Sequence, residues 1–298
     1  MRITIWGTGA MACFFAARFA LSGVDLITML GTWPDAIHAI RKNGISIKDV
    51  NGTRIADVNA GFYSAPATPA DIGIVLVKSW QTPRLAGMIE KNLKPGGAAL
   101  SLQNGLGNIE ALGNRVFTGV TFEGATLLSP GHVTHCGSGT THIAAPEGVV
   151  ELFQRAGFDT RRCDPKEAES LVWGKLVVNC GINALSALCG VRNGELLKQR
   201  KLTGIMEKAA LECAAVACAL GVELPYVDPV SEVHETALRT AENMSSMLCD
   251  VLRGAPTECD AINGAVVREG KRLGVPVPMN EALWRAMTAF QGMKHEGN

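Results

Sequence analysis

Several absences in the sequence exclude whole classes of protein. The chain has no excess of charge, because 28 basic residues balance 28 acidic ones, and so it shows no pattern for binding nucleic acid or an anionic membrane surface. No apolar run reaches the roughly 18 to 20 residues that a membrane span needs. The N-terminal stretch MRITIWGTGA is interrupted by glycine and does not match a signal peptide. We therefore expect a cytoplasmic protein that binds neither nucleic acid nor membrane.

Paired cysteine motifs are also missing. The chain has nine cysteines, and no two of them have C-x-x-C spacing. Cys180, Cys213 and Cys218 fall within apolar helical patterns, which predicts reduced thiols packed as small apolar side chains. The stretch HVTHC at residues 132–136 is a candidate metal site. We favour ordinary strand residues there and expect no metal, because no zinc-type spacing completes the set.

The pattern along the chain predicts two domains. With 298 residues, 47% of them apolar, the chain can bury a sizeable core. Strands alternate with helices in the first half, which predicts an α/β Rossmann-type domain over residues 1–165 with a parallel sheet, extended by antiparallel strands from about residue 118. A helix is predicted at about 81–92 and a hairpin at Asn51-Gly52. Residues 166–298 are predicted to form an all-α domain, with helices near 166–188, 203–220, 229–252, 257–273 and 279–292.

A glycine loop follows the first predicted strand. GTGAMA places Gly7 and Gly9 two residues apart, with Ala12 three residues further on. This spacing, after a strand and before a helix, is the dinucleotide-binding fingerprint: Gly7 makes a tight turn, and Gly9 lets a pyrophosphate approach the helix N-terminus. A glycine turn without a ligand is the alternative. We favour dinucleotide binding, because the loop stands in the context that the fingerprint requires.

The type of dinucleotide is less clear from the residues. The second strand ends in TMLGTWPD, with no acidic residue at its tip to bind a ribose 2′-hydroxyl and no arginine for a 2′-phosphate. Thr32 is compatible with either cofactor. Lys78 ends the strand IVLVK and could reach a 2′-phosphate, although it could equally be a solvated lysine at a strand end. We favour NADP, with NAD possible.

Three polar residues line one edge of an apolar helix in LVWGKLVVNCGINAL. Lys175, Asn179 and Asn183 are four residues apart and therefore share a face. The asparagines alone would fit a satisfied polar seam between helices. A lysine is costly to bury, so its presence favours a face that meets a cleft or a partner, where a lowered pKa would make it a good general acid. Downstream, Glu258 follows Pro256 and could be a functional acid or only a first-turn residue favoured by the helix dipole.

Taken in order, the motifs resemble those of the ketopantoate reductase family (2-dehydropantoate 2-reductases) from end to end. The resemblance includes the glycine loop, VKSWQT, LQNGLGN, PGHVTHCGSGT, the helix W-G-K-L-x-x-N-x-x-x-N-A-L-S-A-L, SSMLCDVLRG and PTECDAING. It implies reduction of ketopantoate to (R)-pantoate, with hydride transfer to the 2-oxo carbon of a small acid bound between the domains. It also implies a role in pantothenate biosynthesis.

The resemblance also assigns residues. Lys175 matches the catalytic lysine that protonates the carbonyl oxygen, and Glu258 matches the second catalytic residue, which anchors the substrate hydroxyl. The cofactor loop comprises Gly7, Gly9 and the turn residues Thr8, Ala10 and Met11. Asn104 matches a residue at the junction of cofactor and substrate. The residues that match substrate-contacting positions are Asn179, Asn183, Asn243 and Ser246.

Two departures from the family pattern stand out: the first leaves the cofactor preference open, and the second could alter only the surface or could signal a changed substrate. Many members carry an arginine near the tip of strand two, where this chain has Thr32 and Trp33, and often a basic residue where it has Ala255. The alternatives are a reductase of another small 2-oxo acid, an enzyme like the β-hydroxyacid dehydrogenases, and a dinucleotide sensor without turnover. The Glu258 segment argues against the second, and the joint presence of Lys175, Glu258 and the polar set argues against the third. We expect a homodimer, since the long apolar helices of the second domain could pack against a second copy.

Overall fold

The computed structural model describes residues 1–65 and 68–296, with side chains up to residue 293. The chain forms two compact units, and each is treated by itself. Unit 1 comprises Met1–Gln103 and Asn108–Ala168, and unit 2 comprises Asn104–Gly107 and Glu169–Asn298. The chain thus passes into unit 2 for a four-residue segment before it enters that unit for the remainder of its length.

An eight-stranded sheet forms the framework of unit 1. Its order is β12-β11-β8-β7-β6-β1-β2-β5, and every neighbouring pair is parallel except β11 and β8, so that β11 and β12 run opposite to the other six strands. The predicted Rossmann-type fold with added antiparallel strands is confirmed. The strands are β1 (Arg2–Trp6), β2 (Leu26–Gly31), β5 (Asn59–Phe62), β6 (Ala70–Val75), β7 (Leu93–Ser101), β8 (Val116–Thr121), β11 (Thr141–Ile143) and β12 (Thr160–Arg162).

A second sheet of four strands has the order β4-β3-β10-β9. The predicted hairpin at Asn51-Gly52 is confirmed, because β3 and β4 are antiparallel and the amide of Asn51 donates to Asp49 Oδ1 at 2.8 Å. Strand β10 pairs antiparallel with β9 and parallel with β3. The four strands are β3 (Ile45–Asp49), β4 (Gly52–Ala56), β9 (Gly124–Ser129) and β10 (His132–Gly137).

Helix α1 (Ala10–Leu21) runs from the glycine loop and is buried along most of its length. Its phenylalanines pack with two others into an aromatic cluster, which comprises Phe14, Phe15, Phe19, Phe153 and Phe158. This packing anchors the helix that follows the glycine loop, so the loop is held on a rigid base. The other helices of unit 1 are α2 (Pro34–Asn43), α3 (Met88–Lys91), α4 (Asn108–Leu112) and α5 (Glu147–Arg155).

The prediction of a single helix at about 81–92 is wrong. A 3-10 helix spans Ser79–Leu85, and α3 follows as a separate single turn. Pro83 lies inside the first of these segments, and proline cannot donate the backbone hydrogen bond that a continuous α-helix needs.

Unit 2 is helical, as predicted. Its core gathers apolar side chains from α6, α8, α9 and the C-terminal helices, including Trp173, Cys180, Met206 and Met287. The short helix α7 was not predicted. The helices are α6 (Pro165–Cys189), which begins in unit 1, α7 (Glu195–Lys198), α8 (Arg200–Ala219), α9 (Pro229–Arg239), α10 (Ser246–Leu252), α11 (Ala265–Leu273) and α12 (Pro278–Glu296).

The long helix predicted at 229–252 is divided into α9 and α10. The carbonyls of Ala241 and Asn243 accept hydrogen bonds from the amides of Gly194 and Asn193, at 3.1 and 3.0 Å, and are therefore withdrawn from helical pairing. The Ser245 hydroxyl then accepts from the amide of Leu248 and starts a new helix. The expectation that Ser245 lies within a helix is corrected: it is the N-cap of α10.

The helix predicted at 257–273 begins with a π-helical segment, Asp260–Gly264, before it continues as α11. The amide of Gly264 donates to the carbonyl of Cys259 at 3.0 Å, five residues earlier, which is the π-helical pattern. A π turn is rare and often accompanies a functional site. Hereafter Asp260–Gly264 is called the π segment.

Helix α6 corrects one expectation about apolar length. Of the helices that the structure describes, it alone is long and apolar enough to cross a membrane by length and composition, with a mean hydropathy of 1.4 over its most apolar window. That window is 72% buried inside the protein. The buried core helix of a soluble protein can be equally long and apolar, so the length and composition of α6 are weak evidence for a membrane span.

All nine cysteines are free thiols, and Cys180 and Cys213 are buried as expected. The expectation that Cys218 packs in the core is wrong, because this thiol is exposed. It lies near the end of α8, where the helical face turns to solvent.

Candidate active site

The glycine loop of unit 1 has the geometry that its spacing predicts. Gly7 has a φ of +131°, and a Cβ added there would lie 2.9 Å from the carbonyl oxygen of Leu76. The amide of Gly7 donates to the carbonyl of Leu30 at 2.8 Å, which ties the turn to the end of β2. Any other residue at position 7 would meet both strain and a clash, so Gly7 is required by the fold itself.

Gly9 has a different reason to be glycine. Its backbone is extended, with a φ of −83°, and a Cβ added to it would meet nothing within 4 Å among the described atoms. In the described chain, no side chain caps α1 at Gly9, and the first turn of α1 holds no acidic residue. The main-chain amides at the start of α1 therefore suit an anionic group, and protein packing does not explain the glycine.

The other predicted loop residues surround this helix start. Thr8 is buried, with only 6% exposed, and its side chain packs so close to Gly31 that a Cβ there would lie 2.8 Å from Thr8 Cγ2. Ala10 and Met11 are half-buried in the first turn of α1. The set of Gly7, Thr8, Gly9, Ala10 and Met11 therefore joins the end of β1 to the N-terminus of α1, as the fingerprint requires.

The tip of β2 carries a polar contact that the sequence did not reveal. Gln81 Nε2 donates to Thr32 Oγ1 at 3.3 Å, so the two side chains meet at the surface of unit 1. Lys78 is half-buried and immediately precedes the 3-10 helix that carries Gln81. Asp35 lies in the first turn of α2 rather than at the strand tip.

On α6, the three polar residues become more buried toward the C-terminal end of the row. Lys175 and Asn179 are half-buried, whereas Asn183 is only 6% exposed. The preceding residue, Gly174, packs against residues 225–226. A Cβ added to Gly174 would lie 2.6 Å from the ring of Pro225. The Tyr226 hydroxyl donates a hydrogen bond to the Gly174 carbonyl at 2.8 Å. Close packing against residues 225–226 therefore fixes the rotation of α6 around its axis.

Lys175 is electrostatically perturbed in the way that proton transfer near neutral pH requires. Burial lowers its pKa to about 8, and the Glu258 carboxylate opposes that shift by favouring the ammonium form. Glu258 itself is only 5% exposed and lies just before the π segment, where its carbonyl accepts from the amides of Ala261 and Ile262. Within unit 2, the fold therefore brings Lys175 and Glu258, which are 83 positions apart in the sequence, close enough for the charge of one to shift the pKa of the other.

Asn104 belongs to unit 2, although the segments on both sides of residues 104–107 belong to unit 1. The amide of Leu106 donates to the carbonyl of Ala261 at 3.1 Å. Gly105 has a φ of +82°, and a Cβ on it would lie 2.5 Å from the same carbonyl oxygen. The segment that carries Asn104 thus lies directly against the π segment, which follows Glu258.

Asn243 and Ser246 lie on either side of the N-cap of α10. Both residues are exposed, whereas Ser245 is buried and its hydroxyl lies 2.7 Å from Ser186 Oγ, from which it accepts a hydrogen bond. The carbonyl of Asn243 accepts from the amide of Asn193. Ser245 therefore has a structural role, whereas Ser246 is exposed at the surface of unit 2.

The departure at Ala255 is accompanied by a neighbouring ion pair. Ala255 is half-buried, and its amide donates to the carbonyl of Asp250 at 2.9 Å. Arg253 Nη2 lies 2.6 Å from Asp250 Oδ1. A basic side chain is thus present two residues earlier, engaged by an aspartate whose side chain is buried.

The HVTHC stretch forms strand β10. His135 Nε2 lies 2.7 Å from Glu123 Oε2, and its ring stacks on Phe14 with centroids 4.6 Å apart. His132 and Cys136 are exposed. Across the described residues, no group of three or more His, Cys, Asp or Glu side chains is arranged to hold a metal ion.

Comparisons with known proteins agree with this architecture. The family model described as "Ketopantoate reductase PanE/ApbA" matches residues 3–148, and the one described as "Ketopantoate reductase PanE/ApbA C terminal" matches residues 167–291. The 2-dehydropantoate 2-reductase of Archaeoglobus fulgidus is 35% identical over 294 residues, which cover 95% of each chain.

Solved structures extend the agreement. The PanE/ApbA family ketopantoate reductase of Ralstonia eutropha JMP134 superposes with a TM-score of 0.91 at 29% identity, covering 99% of this chain and 100% of that one. A D-mandelate dehydrogenase, solved with NADH and anilino(oxo)acetate, gives a TM-score of 0.92 at 24% identity and covers 99% of both chains. At that identity the likeness shows the fold alone.

Fold and relatives together define the class of the protein: it is an oxidoreductase built from a Rossmann-type unit and a helical unit. Within that class, the chain belongs to the ketopantoate reductase family. The resemblance that the sequence motifs indicated is confirmed.

Proposed function

We propose that the protein reduces 2-dehydropantoate to (R)-pantoate with a reduced nicotinamide dinucleotide, and that Lys175 is the general acid. The observation that carries this proposal is the pair of Lys175 and Glu258, in which burial brings the pKa of the amine to about 8. An acid with a pKa near the working pH transfers protons most effectively. The named relatives support the substrate, since the Archaeoglobus fulgidus protein is a 2-dehydropantoate 2-reductase.

In the proposed mechanism, the main-chain amides at the start of α1 and the helix dipole would hold the pyrophosphate of the cofactor, at the loop formed by Gly7, Thr8, Gly9, Ala10 and Met11. When bound, the reduced dinucleotide supplies the hydride that goes to the 2-oxo carbon of the substrate. Lys175 Nζ, in its ammonium form, stabilises the negative charge that develops on the substrate oxygen and then protonates it.

The remaining polar residues orient the substrate. We assign Glu258 to accept a hydrogen bond from the substrate hydroxyl, and Asn104, as its match to the family position implies, to contact both cofactor and substrate. Asn179, Asn183, Asn243 and Ser246 offer amide and hydroxyl groups to the carboxylate and carbonyl of the acid. Their contribution is mainly positional, because hydride transfer depends steeply on the alignment of donor and acceptor.

For the cofactor, we favour NADP over NAD. Lys78 is the cation that would bind a 2′-phosphate, and Thr32, whose hydroxyl accepts a hydrogen bond from Gln81, is the second residue that we assign to the cofactor at this end of unit 1. No acidic side chain at the tip of β2 among the described residues favours the free 2′-hydroxyl of NAD. The arginine of many family members is absent, so we expect the preference for NADPH to be modest and NADH to be used as well.

The test is the oxidation of NADPH and of NADH, followed by absorbance, with ketopantoate and with a panel of other small 2-oxo acids. We expect the highest kcat/KM with ketopantoate and NADPH. A preference for another 2-oxo acid would instead support the alternative reductase and would indicate that the Ala255 departure signals a changed substrate. Cofactor binding without turnover on any acid would contradict the proposal and support a sensor.

The proposal also includes a homodimer. It rests on the long helices of unit 2, α6 and α8, whose apolar side chains could pack against a second copy. Light scattering coupled to size exclusion should give twice the mass of one chain.

A further inference from the structure

The π segment contacts each of the elements in unit 2 that carry the proposed catalytic and junction residues. Glu258 lies two residues before it, and its carbonyl accepts hydrogen bonds from the amides of Ala261 and Ile262 within the segment. The segment that carries Asn104 lies against Ala261 through the amide of Leu106. Helix α6, which carries Lys175, is joined to it by the side chain of Asn263. One five-residue segment therefore connects three parts of the chain that are distant in sequence.

The Asn263 side chain makes the connection to α6. It is fully buried, and its Nδ2 donates to the carbonyl of Cys180 at 3.3 Å and to Asn280 Oδ1 at 3.0 Å. Its Oδ1 accepts from Cys259 Sγ at 3.7 Å. Cys180 is adjacent to Asn179 on α6, and Cys259 is adjacent to Glu258. A single amide thus joins the neighbour of Glu258 to the neighbour of a proposed substrate-binding residue.

Asn280 and Glu212 hold this amide from the other side. Asn280 Nδ2 donates to the carbonyl of Ala209 and to Glu212 Oε2, each at 2.9 Å. The Glu212 carboxylate also accepts from the amides of Met279 and Asn280, at 2.8 Å, and so caps the start of α12. Because Asn280 is fixed by α8 and α12, its Oδ1 presents a fixed acceptor to Asn263, and the orientation of Asn263 is determined.

We propose that Asn263 is a positioning residue for the reaction: it fixes the segment that carries Glu258 against α6 and thereby sets how far the Glu258 carboxylate lies from the Lys175 amine. This inference rests on the proposed function for the roles of Lys175 and Glu258. The irregular π turn is part of the same arrangement, because it points the Asn263 side chain into the core, toward α6 and α12.

A measurable consequence follows from electrostatics. The Glu258 carboxylate raises the pKa of Lys175, against the effect of burial. This effect depends on the separation of the two groups, so a loosened Glu258 segment should leave the amine with a lower pKa. A residue that only contributes stability would not move this pKa.

The experiment compares two variants. Asn263→Ala removes the amide, and Asn263→Leu replaces it with a side chain of nearly the same shape that cannot donate a hydrogen bond. We expect kcat for ketopantoate to fall by roughly tenfold to a hundredfold, with a smaller change in KM, as is typical of a small misplacement near the reacting groups. We also expect the alkaline limb of the pH–rate profile to move to lower pH by about half to one unit.

Val266→Ala is the matched control. Val266 is fully buried on α11, just beyond the π segment, and belongs to the same apolar core. Its truncation should lower the thermal stability while the alkaline limb stays at the wild-type pH. An unmoved alkaline limb in both folded Asn263 variants would overturn the proposal. So would failure of both to fold, because Asn263 would then serve the stability of unit 2 as a whole.

A second readout separates this proposal from the proposed function. The rate at which acetic anhydride acetylates Lys175 in the full-length protein, followed by peptide mass spectrometry as a function of pH, reports the pKa of the amine without any turnover. If no 2-oxo acid is reduced but the acetylation profile still moves to lower pH in the Asn263 variants, the proposed function fails and the positional role of Asn263 stands. If the wild type reduces ketopantoate but the acetylation profile is unchanged in the variants, the proposed function stands and the positional role of Asn263 is overturned.

Discussion

Units 1 and 2 build their proposed sites from different materials. In unit 1 the cofactor loop is made of main chain, and its key positions are defined by the absence of a side chain at Gly7 and Gly9. In unit 2 the proposed site is made of side chains, and Lys175 and Glu258 come from elements far apart in sequence. A main-chain site follows from one continuous motif, whereas a side-chain site depends on tertiary contacts that hold separate elements together. Substitutions should therefore affect the two units in different ways.

The largest effect is expected in unit 2, from Lys175→Ala. Loss of the acid should lower kcat by roughly a hundredfold to ten-thousandfold. The dissociation constant for NADPH, measured by calorimetry, should stay near the wild-type value because the cofactor loop lies in unit 1. Lys166→Ala is the matched control, since Lys166 is an exposed lysine on the same helix. A wild-type kcat in the Lys175→Ala variant would contradict the assignment of Lys175 as the general acid.

The pH dependence of the rate sharpens the same assignment. Burial brings the pKa of Lys175 down to about 8, so the ammonium form predominates below that pH and is lost as the pH rises through it. The rate of ketopantoate reduction should not fall with rising pH until the pH approaches about 8. Above that pH the rate should fall about tenfold for each further pH unit. Oxidation of pantoate, which needs the neutral amine as a base, should rise over the same range. A reduction rate that stays constant to about pH 10, roughly the usual pKa of lysine, would contradict this role.

In unit 1, the two glycines should separate cofactor binding from folding. Gly7→Ala should destabilise the protein by about 1 to 3 kcal/mol, because it forces strain and a clash with Leu76. Gly9→Ala should leave the free energy of unfolding unchanged or slightly raise it, since its backbone is already in a region that alanine adopts. It should weaken NADPH binding by roughly tenfold, or about 1.4 kcal/mol.

Urea unfolding and calorimetry on the same samples measure both quantities. If Gly9→Ala bound NADPH as tightly as the wild type, the loop would be a glycine turn without the proposed ligand, and unit 1 would lose its main-chain site.

The smallest effects are expected from the adjacent serines of unit 2. Ser245→Ala removes the N-cap of α10 and should cost about 1 kcal/mol of stability. Ser246→Ala should leave the melting temperature unchanged and raise the KM for ketopantoate about threefold, the loss of a hydrogen bond of ordinary strength. Thermal melts and steady-state kinetics of the two variants distinguish a capping serine from one that contacts substrate. The reverse pattern would show that the roles are exchanged.

Local features of the sequence predicted local features of the fold. The β1–loop–α1 unit follows from the spacing of Gly7 and Gly9, and the hairpin follows from Asn51-Gly52. The shared face of Lys175, Asn179 and Asn183 follows from helical periodicity alone. Each of these depends on residues within a few positions of one another, where sequence patterns are most informative.

The features that could not be predicted depend on long-range contacts. Helices α9 and α10 are separated because carbonyls at 241 and 243 bond to amides at 194 and 193. The π segment is accompanied by a side-chain bond from Asn263 to Cys180, 83 positions earlier. Likewise, Gly105 needs its conformation because Ala261 lies against it. The periodicity of one segment carries no information about which distant segment it contacts, so these contacts cannot be predicted from a single sequence.

The membership of Asn104–Gly107 in unit 2 has a consequence for how this chain can be divided. The backbone crosses between the units after Gln103, after Gly107 and after Ala168. A fragment that starts at Glu169 would leave the carbonyl of Ala261 without the Leu106 amide and would lack Asn104 altogether. Gene fusion or duplication at the obvious junction would therefore produce an incomplete helical module. A helical unit cut from this chain is therefore complete only when the segment Asn104–Gly107 is supplied with it.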